Sequence, residues 1–152
     1  MSGSTLSPAL LYAESGQALI ELALCLPVLL LVVFGVCTFG IAFSNYLMLE
    51  DATNVGARQL AISRGQSTDP CSTASTAIIA AAPTLTRNSL GFTFLINNVS
   101  YSGTTCTGAA ANMAQNAMAK VTVTYPCNLS SYKWSFASGS CTLTAATAEL
   151  IQ

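Results

Sequence analysis

Gly16-Gln17-Ala18-Leu19-Ile20-Glu21 opens directly onto Leu22–Phe43, LALCLPVLLLVVFGVCTFGIAF. The second stretch has 22 residues and no charge. As a helix it spans ~33 Å, against a bilayer hydrocarbon core of ~30 Å. Glu21 stands at the mouth of this run, where an ionised side chain is costly and is by default read as functional. Beyond Phe43 the helical pattern continues. Asn45 to Arg64 has no proline, and Tyr46, Leu49, Ala52, Gly56 and Leu60 recur at three- and four-residue steps. Glu50, Asp51, Asn54, Arg58 and Gln59 fall largely elsewhere. Gly65 is the natural stop, followed by the polar turn Gln66–Pro70. A helix over residues 17–64 is ~72 Å long, far more than a bilayer needs. Pro27 inside it removes one backbone hydrogen bond and loosens or kinks the helix there.

The rest of the composition narrows the function classes. Charged residues are 7% of the chain and its net charge is −1, so no basic field for nucleic acid exists. There is no histidine, so a hydrolytic triad lacks its usual base and a zinc site has only cysteines to draw on. The chain is read as a non-enzyme, with no catalytic residues, no metal and no cofactor. Residues 1–16 form a short polar leader, expected to have little structure. They carry no Lys or Arg, and the apolar run is longer than the core of a cleaved secretory signal, so a retained anchor fits better.

Six cysteines divide into two sets. Cys25 and Cys37 lie inside the apolar run, where a thiol behaves as a small hydrophobe. Cys71, Cys106, Cys127 and Cys141 lie beyond it. In a small, charge-poor domain after a membrane segment they indicate two disulfides and an oxidising compartment. Sequential pairing, Cys71–Cys106 and Cys127–Cys141, closes the shortest loops of the three possible connectivities.

The distal region, 65–152, reads as a small α+β domain. Ser72–Ala82 predicts a short helix stopped at Pro83. FTFLINNVSY, Phe92–Tyr101, predicts one strand; Val121–Tyr125 alternates cleanly and predicts another, ended by Pro126; Thr142–Glu149 returns as the last. Gly108–Ala119 is ambiguous between loop and helix. The expectation is a three-stranded antiparallel sheet packed on the long helix. Tyr132, Trp134 and Phe136 alternate within the 127–141 loop, as one face of a strand or a binding loop does; core packing is the favoured reading.

The stretch from Gly16 through Gly56-Ala57-Arg58, with Pro27, Gly35 and Gly40 in its apolar run, resembles the N-terminal region of TadE-like proteins. These are minor pilins or pseudopilins of bacterial Tad (tight adherence) pilus systems. Val121–Pro126 and Leu143–Leu150 resemble the family's C-terminal strands. The resemblance implies a prepilin-type leader, 1–16, cut by a prepilin peptidase between Gly16 and Gln17. Glu21 then becomes the fifth residue of the mature chain, placed to pair with the freed α-amine of a neighbouring subunit and so offset the desolvation of both. The implied partners are the peptidase, other Tad pilins and inner-membrane lipid. The implied location is the bacterial inner membrane, with the C-terminal domain outside and incorporation into a surface pilus. Charge alone favours the reverse orientation, because Arg58 and Arg64 follow the apolar run and the leader has Glu14 instead of Lys or Arg. The four distal cysteines outweigh it. The rival reading is an unprocessed, single-pass membrane-anchored extracytoplasmic binding domain.

Overall fold

The computed structural model describes residues 8–127 and 141–152, with side chains from Gly16 onward. Helix α1 runs from Pro8 to Ile62, 55 residues with Pro27 inside it. Its start corrects the expectation of an unstructured leader. Pro8 fits the first helical turn, where its missing N–H costs nothing, and Ala9-Leu10-Leu11 that follow are good helix formers. At the other end Ser63 closes the helix by donating its hydroxyl to the Leu60 carbonyl. Gly65 then turns the chain with φ +71°, a conformation that suits glycine.

The chain divides into two units, Met1–Gly40 and Ile41–Gln152. Within the first, the described apolar side chains of α1 are exposed throughout. The second holds the core. There α1 buries Leu49, Ala52, Thr53, Gly56, Ala57 and Leu60. The buried Thr53 hydroxyl is satisfied by the Leu49 carbonyl one turn back.

Helix α2, Pro70–Ala81, turns Cys71, Ala74 and Ile78 to the same core. Gly56 is where the two helices meet. A Cβ built there overlaps the Ile78 side chain, so only glycine fits the approach. This explains within the fold the one glycine of the helix beyond the apolar run.

The sheet has four antiparallel strands in the order β2-β1-β3-β4: β1 Gly91–Ile96, β2 Val99–Ser102, β3 Met118–Pro126 and β4 Thr142–Leu150. The expected three-stranded sheet is corrected to four because Phe92–Tyr101 is a hairpin and not one strand. Ile96 pairs with Val99, leaving a two-residue loop of Asn97 and Asn98 at φ 49° and 65°. Both central residues at positive φ define the turn whose twist matches a hairpin, and asparagine tolerates that region.

On the core face, Phe92 lies beside Val123 and then Ala145, and Phe94 beside Val121 and then Thr147. Phe92 and Phe94 rings stack with centroids 6.3 Å apart. The ambiguous Gly108–Ala119 segment is a 3-10 turn at Ala109–Asn112 followed by the first residues of β3. Tyr132, Trp134 and Phe136 lie outside the described residues.

Candidate processing and assembly site

Gly16, Gln17 and Glu21 all lie on α1 and all are exposed. Nothing approaches within 4 Å of a Cβ built on Gly16, and the same holds at Gly35 and Gly40. The fold itself therefore does not require glycine at these three positions, in contrast to Gly56. Leu19, Ile20, Leu22 and Leu24 around Glu21 are each more than half exposed. Gln17 and Glu21 are four residues apart, so they share one face of the helix. The stretch from Gly16 is long and apolar enough to cross a membrane, and its apolar window has no residue buried inside the chain. Its side chains are turned outward to whatever surrounds the helix.

Residues 16–58 match the family model of TadE-like proteins. This region is TadE-like. The match begins at Gly16, takes in Glu21, Pro27 and the apolar run, and ends at Arg58. TadE-like proteins are a structural, pilus-associated family with an N-terminal membrane helix. No curated protein and no solved structure matches the chain. The TadE-like segment thus ends within α1, before α2 and the sheet begin.

The four distal cysteines close two disulfides. Cys71 is bonded to Cys106 with Cα atoms 5.5 Å apart, and Cys127 to Cys141 at 5.2 Å. Cys25 and Cys37 are free and exposed on α1. The first bridge is buried and tied down by Asp69. One carboxylate oxygen accepts the Ser72 N–H at 3.1 Å and the Cys106 N–H at 3.0 Å. The first bond caps α2, with Pro70 in its first turn. The second holds the Cys106 loop against that helix end. Asp69, Cys71 and Cys106 cluster within 4.8 Å, the spacing of a metal site. Both sulfurs are committed to the disulfide, however, and the carboxylate to two backbone donors. The sequence reading places Asp69-Pro70 in the polar turn and begins the helix at Ser72; an Asp before a first-turn proline is the signal for the cap, whereas the reach of Asp69 to Cys106 carries no such signal, because 37 residues intervene.

Proposed function

We propose that this chain is a minor pilin-like component of a bacterial Tad-type pilus or secretion system. A prepilin peptidase cuts it between Gly16 and Gln17, and it assembles through its N-terminal helix. The observation that carries this reading is the TadE-like match beginning at Gly16, at a glycine the fold does not need. A protease that must reach the backbone gains from a missing side chain.

The cut changes the chemistry of Glu21. In the uncut chain α1 continues upstream to Pro8, and Glu21 sits mid-helix. Cleavage makes Gln17 the new helix start. Its α-amine becomes free, and the first backbone N–H groups lose their carbonyl partners. Glu21 then lies beside the positive end of a helix dipole, where a carboxylate is favoured. In an apolar bundle the carboxylate of one subunit and the amine of the next offset each other's desolvation. In this reading the domain lies outside the inner membrane; its two disulfides support that side, because such bridges persist in an oxidising compartment. Its role is structural, in initiating, capping or decorating a filament.

The test is the intact mass of the protein from its native host, with Glu21→Ala and Glu21→Gln followed in parallel. The mature chain should start at Gln17. Both variants should insert and be cut normally, yet fall in the sheared filament fraction. A mature chain starting elsewhere rejects the processing step. Normal incorporation of both variants rejects the assembly role of Glu21.

A further inference from the structure

Within the second unit, one exposed side of α1 carries Leu47, Asp51, Val55, Arg58 and Ile62, while Asn54 beside them is engaged with β4, accepting the Thr147 hydroxyl at 2.6 Å. Leu47, Val55 and Ile62 are 49%, 44% and 39% exposed, a broken apolar stripe on a helix whose other side is buried. Seven residues make nearly two turns, so side chains seven apart fall on one line, ~10.5 Å apart along the axis. Two such pairs lie here: Asp51 with Arg58, opposite in sign, and Val55 with Ile62, both apolar. No residue of opposite charge sits three or four positions from Asp51 or Arg58. Among the described residues neither is within ion-pair distance of another charge. Arg58 shares a surface depression with Glu149 without such contact.

We propose that this face docks on the same face of a second copy displaced by seven residues, with Asp51 of one copy against Arg58 of the next. The proposal rests on the assembly reading above and names its register. The charges select the arrangement. Two parallel copies in register would oppose Asp51 with Asp51 and Arg58 with Arg58. An antiparallel pair would satisfy the charges but point the two apolar runs in opposite directions, which a shared membrane forbids. A parallel offset of seven residues brings Asp51 level with Arg58, Val55 level with Ile62, and the half-buried Met48 level with Val55. Like charges do not meet. The contact is asymmetric: one Asp51 and one Arg58 meet, while the other Arg58 lies level with Gly65 and the other Asp51 level with Ser44.

The experiment uses full-length protein carrying two different epitope tags, co-expressed in a host lacking the wild-type copy and co-isolated in mild detergent. Asp51→Arg puts Arg against Arg58 between like copies, and Arg58→Asp puts Asp51 against Asp. Each variant should lose self-association several-fold. Co-expressed together, the two variants should recover it, because an Asp51→Arg copy and an Arg58→Asp copy are complementary in either order. A variant that merely misfolds gives no such recovery. Unchanged self-association of either variant overturns the proposal. So does failure of the mixed pair to recover, or failure of wild-type copies to co-isolate. The mature N-terminus is read in the same samples: cleavage after Gly16 with unaltered self-association removes the register and leaves the processing step standing. A chain starting elsewhere removes that step independently.

Discussion

Replacing Gly56 with alanine tests the packing at the centre of the domain. The new methyl would overlap Cγ1 and Cδ1 of Ile78, a side chain with no exposed surface. Ile78 is β-branched and on a helix, so its first torsion has one strongly preferred setting and little room to yield. Overpacking of this kind costs ~1–3 kcal/mol. Alanine's better helix propensity returns up to ~1 kcal/mol. The net loss is therefore about 1 kcal/mol, or a fall in Tm of ~4–8 °C for a small domain. The assay is thermal unfolding of the full-length protein in detergent, followed by near-ultraviolet circular dichroism. Gly35→Ala and Gly40→Ala serve as controls, since nothing lies within 4 Å of a Cβ at either site. Ile78→Ala removes both Cγ1 and Cδ1, the two atoms that the new Cβ meets. The double variant should be less damaged than the sum of the singles by at least ~0.5 kcal/mol. A Tm for Gly56→Ala equal to or above wild type would refute the reasoning.

Two further outcomes follow from geometry described above. Replacing both Cys71 and Cys106 with serine opens a loop with a sequence separation of 35; chain entropy assigns that closure ~4 kcal/mol, and a urea-unfolding loss below ~1 kcal/mol would show the bridge is not a stabilising tie. Asn98→Gly should leave stability unchanged or raise it, whereas Asn98→Val should lower it by ~1–2 kcal/mol, because a branched residue resists φ 65°; equal melting of the two variants would mean the hairpin turn has rearranged.

Where local chemistry is decisive, the sequence is a sufficient guide. Val121–Tyr125 alternates because one face of β3 is buried and the other is not. Leu49, Ala52, Gly56 and Leu60 recur at helical steps because the same core lies under each. What escaped was chemistry with two readings. Asn97-Asn98 inside FTFLINNVSY looks like part of a polar-faced strand unless both residues are given positive φ, which asparagine permits without demanding. Ala109–Asn112 is alanine-rich enough for a helix but forms only a 3-10 turn, entered through Gly108 at φ 79°. The helix upstream of Gly16 was hidden by expecting a polar leader to lack order. Of the candidate site, Glu21 stood out by its place before an apolar run, whereas Gly16 and Gln17 entered through the TadE-like resemblance. The stripe around Asp51 and Arg58 emerges only once the fold shows which side of α1 is covered.

The last residues of the chain tie back to the helix that opens it. Gln152 donates its N–H to the Ala61 carbonyl at 3.3 Å, while Ile151, almost fully buried, exchanges backbone bonds with Ala117 and Asn116. β4 just before them supplies the whole second pairing of β3. A product broken off before β4 would thus leave the Val121–Val123 strand half paired and the end of α1 without its closing bond. The sheet therefore closes on this side only when Thr142–Leu150 has joined β3, and a chain cut before Thr142 keeps β3 as an unpaired edge, a ready template for pairing with another chain.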